Sequence, residues 1–148
     1  MLQAADWVGH ANATLARRGY RASAPRSAVL TALADLGCSV TAKEISDRIE
    51  AAGQDVGLAS VYRALELLER LRLARRVDAG EGTARYEPID PAGAHHHHLV
   101  CDRCGEVAAF EDVDLERAIA RLADRVPYSV DAHDVTLRGE CPACLRRH

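Results

Sequence analysis

Aromatic residues are scarce in this 148-residue sequence, and long apolar runs and internal repeats are absent. Only 4% of residues are Phe, Trp or Tyr, so we expect helices packed through Leu, Ala, Val and Ile. No apolar run approaches the ~20 residues of a membrane span, and no signal-peptide pattern opens the chain. With 48% hydrophobic residues the chain can still bury a core. We therefore expect a soluble, cytoplasmic protein that has no membrane partner.

The pattern of a secreted disulfide protein is also missing, because the chain has five cysteines, an odd number. Four of them form two C-x-x-C pairs, Cys101/Cys104 and Cys141/Cys144, and Cys38 stands alone. Four thiolates can complete a closed tetrahedral zinc site. Residues 105–140 separate the pairs, so a helix and a strand should lie between them. We interpret the four cysteines as a structural zinc site, in preference to free thiols or a redox dithiol.

Charge is distributed unevenly along the chain, whose net charge is −3. Residues 1–86 carry 12 Lys and Arg against 10 Asp and Glu, whereas residues 87–148 carry 7 against 12. The first half therefore suits an anionic partner and the second half a cationic one.

The first half has the pattern of a winged helix. Helices are predicted from Leu2 to Arg18, from the Ser23 cap to Gly37, from the Thr41–Glu44 capping box to Gly53, and from Leu58 to Leu71. The last two form a helix-turn-helix, in which Leu58, Val61, Leu65 and Leu68 make the buried stripe. Strands at 74–78 and 83–87 flank Ala79–Gly82 and predict the hairpin wing.

A short segment with two prolines and a glycine marks the predicted domain boundary. We place a DNA-binding domain at 1–87, a hinge at 88–94 and a second domain at 95–148. That second domain is predicted to contain a strand at 96–101, a zinc knuckle, a strand at 106–110, a helix at 112–125 and a long strand from Tyr128 to about Gly139.

Four consecutive histidines, His95–His98, precede the first cysteine pair. Successive side chains of a strand point to opposite faces, so His95 and His97 go one way and His96 and His98 the other. One run can therefore serve two metal sites, with Glu116 and His133 as further ligands. Imidazole suits Zn, Fe, Ni and Cu alike. The alternative is a solvated run without a role.

Ser60, Tyr62 and Arg63 lie in the first two turns of the fourth helix, where a recognition helix meets bases. The alternatives are an ordinary helix surface or a protein-binding role.

Several of these motifs together resemble the ferric uptake regulator family, in the right order and over nearly the whole chain. They are Gly57–Leu65, Arg85-Tyr86-Glu87, His95–Gly105, His133 and the Cys141/Cys144 pair. The resemblance implies an α+β fold, with an N-terminal winged helix-turn-helix domain followed by a small α/β dimerisation domain that holds a four-cysteine zinc site. It implies a homodimeric, metal-dependent repressor of metal-uptake genes, which binds a palindromic double-stranded DNA operator, takes no small-molecule substrate and is not an enzyme.

The resemblance also assigns roles to individual residues. The four cysteines match the structural zinc site. A regulatory site at the hinge is matched by Glu87, His96 and His98, and a second site by His95, His97, Glu116 and His133. Tyr62 and Arg63 match base-reading residues, Ser60 a phosphate contact and Arg21 a contact near the minor groove. The regulatory metal is expected to be Zn²⁺ or Fe²⁺, with Mn²⁺ or Ni²⁺ as the other candidates.

Two positions depart from the family pattern. Ser39 stands where many members have a histidine ligand, and Ala109 where some have an acidic residue. The hinge site then has three ligands, and Cys38 or water is expected as the fourth. A thiolate favours tetrahedral zinc, whereas water permits iron and peroxide chemistry. A peroxide sensor, a zinc hydrolase and a metal-storage or chaperone protein are the alternatives.

Overall fold

The computed structural model describes residues 3–80 and 82–147 of the chain. The chain divides after His95 into two compact units. The segment predicted as a hinge belongs to the first of these, where the Ile89 N–H donates to the Leu73 carbonyl at 2.9 Å. The predicted domain boundaries themselves stay a prediction.

The first unit is a winged helix preceded by one additional helix. Its elements are α1 (Ala4–Arg17), α2 (Ala24–Leu36), β1 (Val40–Thr41), α3 (Ala42–Ala51), α4 (Leu58–Arg70), β2 (Ala74–Asp78) and β3 (Ala84–Pro88). The strands form an antiparallel sheet in the order β1-β3-β2, with Val40 opposite Tyr86 and Arg75 opposite Glu87. The two-residue strand β1 has no counterpart in the sequence prediction. Two predicted positions, Leu2 in the first helix and Glu81 in the wing turn, lie outside the described residues.

Local capping signals fix where these helices begin and end. The Ser23 hydroxyl accepts from the Arg26 N–H at the start of α2, and Gly37 ends that helix with φ 76°. Thr41 and Glu44 form the predicted capping box of α3, with both hydrogen bonds present.

The core of the first unit lies among the four helices and the sheet. Trp7 is 2% exposed, and its indole Nε1 donates to the Leu73 carbonyl at 3.2 Å, which anchors α1 to the segment before β2. Val61, Leu65 and Leu68 are buried as predicted. Leu58 is exposed, and its predicted burial is wrong, because it is the first residue of α4 and has no preceding turn to cover it.

The second unit is a three-stranded sheet with two helices. Its elements are β4 (His97–Cys101), β5 (Val107–Phe110), α5 (Val113–Ala123), β6 (Thr136–Gly139) and α6 (Pro142–Leu145). β4 is central, antiparallel to β5 and parallel to β6.

The long strand predicted from Tyr128 is wrong, since only Thr136–Gly139 forms β6. β6 pairs with β4 from His98↔Thr136 to Cys101↔Gly139. Because β4 begins at His97, residues 128–134 lie beyond the start of their partner strand, and the pairing begins where the Val135 carbonyl accepts from the His98 N–H at 3.1 Å.

Apolar side chains remain exposed on the second unit. α5 has no buried residue, and Val113 and Leu122 on that helix are more than half exposed. Leu99 of β4 and Leu137 of β6 are also exposed. None of the described helices is long and apolar enough to span a bilayer.

Candidate metal centres and DNA-binding surface

The cysteines of the two C-x-x-C pairs converge at one end of the second unit and form a four-cysteine cluster. Cys101 ends β4, Cys104 follows in the turn, Cys141 immediately precedes α6 and Cys144 lies within that helix. Their sulfur atoms all lie within 4.8 Å of one another, and Cys104 and Cys141 are 3.8 Å apart. A tetrahedral zinc ion with Zn–S bonds of about 2.3 Å separates its sulfurs by about 3.8 Å. The donor set and its spacing therefore fit zinc.

The thiols of this cluster have different acidities. Backbone N–H groups, first that of Cys141, lower the pKa of Cys101 to about 6. Burial, reinforced by hydrogen bonds that the Cys144 thiol donates to the neighbouring sulfurs, raises the pKa of Cys144 to about 12. The Cys101 sulfur is thus a thiolate at neutral pH, whereas the Cys144 thiol must lose its proton when a metal binds.

A second cluster surrounds the Glu116 carboxylate on α5. His97 Nε2 lies 2.5 Å from Glu116 Oε1, and His133 Nε2 lies 3.0 Å from Glu116 Oε2. His97 is 1% exposed and its ring packs against Phe110 at 5.5 Å between centroids. Two imidazoles and one carboxylate that converge in this way can hold a divalent ion such as Zn²⁺, Fe²⁺ or Mn²⁺.

The remaining histidines of the run follow the alternation of a strand. The rings of His96 and His98 lie 5.1 Å apart, edge to face, whereas His97 faces Glu116 and His133. His95, the last residue of the first unit, has its Nδ1 3.3 Å from the Gly93 carbonyl. The separation of His96 and His98 from His97 matches the expected division of the run.

In the first unit, Glu87 of β3 lies beside Cys38. The Cys38 thiol donates to Glu87 Oε2 at 3.2 Å. Desolvation of the sulfur, followed by this hydrogen bond, raises the pKa of Cys38 to about 12. The neighbouring Ser39 is buried and has φ 59°, and its carbonyl accepts from Arg85 at 3.0 Å. The thiol and the carboxylate can therefore offer one sulfur and one oxygen ligand from the same place.

The predicted DNA-binding residues are exposed or partly exposed on the first unit. Tyr62 is 45% exposed, and Arg63 is exposed with one guanidinium nitrogen donating to the Ser60 hydroxyl at 2.9 Å. Arg21 lies in the exposed segment between α1 and α2, and its carbonyl accepts from Arg26 at 2.8 Å. Arg26 and Arg70 are not among the predicted DNA-binding residues, although Arg63 and Arg70 have the seven-residue spacing of one helix face.

A winged helix with exposed Tyr and Arg on its recognition helix, joined to a unit with metal-ligand clusters, defines a metal-dependent, DNA-binding transcriptional regulator. The model of the ferric uptake regulator family matches residues 17–138, and the chain belongs to this family. Regulators of this family bind DNA and form dimers. The protein is therefore a regulator of metal homeostasis and not an enzyme.

Individual relatives support the same assignment. The chain is 33% identical over 127 residues to the ferric uptake regulation protein of Legionella pneumophila, covering 85% of this chain and 92% of that one. Identity to the Synechococcus elongatus protein of the same name is 29% over 136 residues, with 90% and 92% covered. The solved structure of the Pseudomonas aeruginosa ferric uptake regulator with manganese is 28% identical with a TM-score of 0.76, covering 88% of this chain and 97% of that chain. The family resemblance and the fold class predicted from the sequence are confirmed, while the roles of individual site residues stay predictions.

Proposed function

We propose that the protein acts in the cytoplasm as a metal-loaded homodimer that binds a palindromic operator and represses genes for zinc or iron uptake. One observation carries this proposal: two pairs of candidate metal ligands lie on either side of residues 88–95. Cys38 and Glu87 form a pair in the first unit, and His96 and His98 form a pair at the start of the second.

The regulatory site is proposed to consist of Glu87, His96 and His98, with Cys38 as the fourth ligand. Only eight residues, 88–95, separate Glu87 from His96 along the chain. A cation held by ligands from both pairs would cross-link the two units and restrict their relative orientation. The residues supply two imidazole nitrogens, a carboxylate oxygen and a sulfur, a set suited to tetrahedral zinc.

Separate roles are proposed for the other two clusters. The four-cysteine cluster holds zinc permanently, because it offers four soft ligands and no open position. His97, Glu116 and His133 form a second metal site, which His95 completes as a fourth ligand. For the regulatory site Zn²⁺ is proposed first because of Cys38, with Fe²⁺, and then Mn²⁺ or Ni²⁺, as the other metals.

The apolar surface of the second unit supports its role in dimerisation. Val113 and Leu122 of α5 and Leu137 of β6 are each more than half exposed, which is unfavourable in water unless another surface covers them. A second copy of this unit is proposed to cover them. In such a dimer the two α4 helices enter successive major grooves only when they lie about one helical turn, ~34 Å, apart.

Contacts to the operator are assigned to four exposed or partly exposed residues of the first unit. Tyr62 and Arg63 read base edges, Ser60 contacts a phosphate and Arg21 approaches the minor groove. Metal binding and operator binding must then be coupled reciprocally, since each favours the same arrangement of the two units.

The test measures operator affinity by fluorescence anisotropy with and without added metal, while the four-cysteine cluster remains filled with zinc. The metal-loaded dimer should bind the operator at least about tenfold more tightly. A His96→Ala/His98→Ala double variant should lose this metal response yet remain a folded dimer. His10→Ala, which changes a histidine of α1 outside all three clusters, is the matched control and should keep the response. Equal affinity of the wild type with and without metal would contradict the proposal.

A further inference from the structure

Three arginines line a groove of about 470 Å³ between the start of α2 and one face of α4. Arg26 comes from the first turn of α2, and Arg63 and Arg70 come from α4. Residues seven apart on a helix are two turns apart and share a face, so Arg63 and Arg70 stand about 10 Å apart along the axis. The groove thus presents cationic groups along its length.

The positive charge of this groove is left without ion-pair partners in the described part of the chain. Glu66 is the single acidic residue among those lining the groove. Within residues 3–80 and 82–147, no carboxylate forms an ion pair with Arg26, Arg63 or Arg70. By contrast, Arg48 pairs with Asp35 at 3.1 Å. Because guanidinium groups stay charged at every physiological pH, the groove attracts anions under all such conditions.

Two of the guanidinium groups are held in position by neutral partners. Arg26 lies over the Tyr20 ring at 5.6 Å and donates to the Arg21 carbonyl at 2.8 Å. Arg63 donates to the Ser60 hydroxyl at 2.9 Å. Each guanidinium has five N–H donors, so most of them remain available to a ligand. An arginine fixed in this way loses little conformational entropy when it binds a second group.

We propose that this groove binds a phosphodiester of the operator backbone, with Arg26 and Arg70 as phosphate contacts that flank the base-reading Arg63. The inference rests on the proposed DNA binding and extends it to two residues outside the predicted set. Arginine matches phosphate oxygens with two parallel hydrogen bonds, and hydroxyls such as that of Ser23 add neutral donors.

The position of the groove favours the DNA backbone over a small free anion. Arg63 on one side is proposed to read a base, and Arg26 on the other side is bonded to the main chain of Arg21, which is proposed to approach the minor groove. A DNA strand that runs from the base read by Arg63 to the minor groove near Arg21 would pass along the groove. Phosphates on that path would meet Arg26 and Arg70.

The salt dependence of operator affinity, measured with the metal-loaded dimer, tests the assignment. Each neutralised phosphate contributes about 0.9 to the slope of log K against log salt concentration. Arg26→Gln and Arg70→Gln each remove one contact per protomer, so each should lower the slope by about 1.8 per dimer. Arg48→Gln makes the same change in net charge in the same unit, at an arginine already paired with Asp35, and should leave the slope unchanged.

Neutral methylphosphonate groups, introduced one position at a time into the operator, identify the contacted phosphates. At a contacted position the methylphosphonate should weaken operator binding by the wild type severalfold. It should affect binding by the Gln variant little, since that variant already lacks the arginine charge that contacts the phosphate. Trp7 emission should be unchanged in every variant, because the single tryptophan is buried in the core of the first unit.

Several outcomes would overturn the groove assignment. One is a salt slope in both Gln variants that equals the wild-type slope. Another is a methylphosphonate effect on affinity that adds to the effect of the Gln substitution at every position. The third is saturable binding of inorganic phosphate that competes with DNA and is lost when Arg26 and Arg70 are replaced. Each leaves the proposed function intact as long as the wild type still binds the operator in a metal-dependent way. Loss of that binding in the wild type would instead refute the proposed function.

Discussion

The neighbouring residues Cys38 and Glu87, which we propose as metal ligands, differ in the metals they prefer. The Glu87 carboxylate is a hard oxygen ligand that suits Mn²⁺ and Fe²⁺ as well as Zn²⁺, whereas a Cys38 thiolate selects for zinc. In the first unit the thiol is protonated and donates to Glu87, with its pKa raised to about 12. The sulfur can therefore become a ligand only when a metal displaces this proton. A metal that prefers thiolate ligands, such as Zn²⁺, displaces it most readily.

Replacement of Cys38 by serine tests whether the sulfur determines metal preference. Serine keeps a donor for Glu87 but removes the soft ligand, so the affinity of the regulatory site for Zn²⁺ should fall by at least about tenfold. Affinity for Mn²⁺ should change much less, because Mn²⁺ prefers oxygen ligands. Chelator competition on dimers that keep zinc in the four-cysteine cluster measures both constants. No loss for either metal would indicate that water is the fourth ligand, and equal losses for the two metals would show that the sulfur does not determine metal preference.

At the scale of single elements, the helix caps of the first unit differ in quality. At the start of α3, Thr41 Oγ1 accepts from the Glu44 N–H at 3.1 Å, and Glu44 Oε2 accepts from the Thr41 N–H at 2.7 Å. At the start of α2, the Ser23 hydroxyl accepts from the Arg26 N–H at a longer 3.5 Å. The two-sided cap of α3 should therefore stabilise the unit more.

Alanine substitution at each cap should reveal this difference. Thr41→Ala should lower the free energy of unfolding by about 1–2 kcal/mol, and Ser23→Ala by about 0.5 kcal/mol. Urea unfolding followed by Trp7 fluorescence reports on the first unit directly, since Trp7 is buried there. A larger loss of unfolding free energy for Ser23→Ala than for Thr41→Ala would show that the hydrogen-bond geometry of a cap does not determine how much it stabilises the unit.

Elements defined by local signals could be predicted from the sequence. The caps at Ser23 and Thr41, the glycine stop at Gly37 and the wing strands depend on neighbouring residues, and the structure has them as predicted. Elements that depend on distant pairing could not. The short strand β1 and the shortened β6 are set by the partner strands β3 and β4.

The same distinction applies to the candidate sites. The alternation of His95–His98 follows from strand geometry alone, so its division into two faces was predictable. The contact between Cys38 and Glu87 follows from the pairing of Val40 with Tyr86, two strands 46 residues apart in the chain. No local pattern encodes that register. For this reason the sequence alone could not decide between Cys38 and water as the fourth ligand of the hinge site.

At the scale of the whole molecule, the two units differ in how their folds are stabilised. The first unit has a large apolar core that includes Trp7, Leu33 and Leu65. Within the described part of the second unit, Val100 is the one buried aliphatic side chain, and α5 buries none of its residues. A unit this small usually needs a metal, disulfides or a partner subunit to fold stably. The zinc ion proposed for the four-cysteine cluster would meet that need, because it would join the end of β4 to α6.

Removal of zinc from the four-cysteine cluster should therefore unfold the second unit and leave the first intact. A strong chelator should abolish amide protection in β4 and α5 and dissociate the dimer, while Trp7 emission stays at its native wavelength. Hydrogen exchange with mass spectrometry and sedimentation velocity measure these effects together. Cys104→Ser should reproduce them without chelator, and Cys38→Ser, which changes a cysteine outside the cluster, should not. If the dimer persisted with native protection after zinc loss, buried apolar contacts between subunits would have to supply the stability that the single buried Val100 does not.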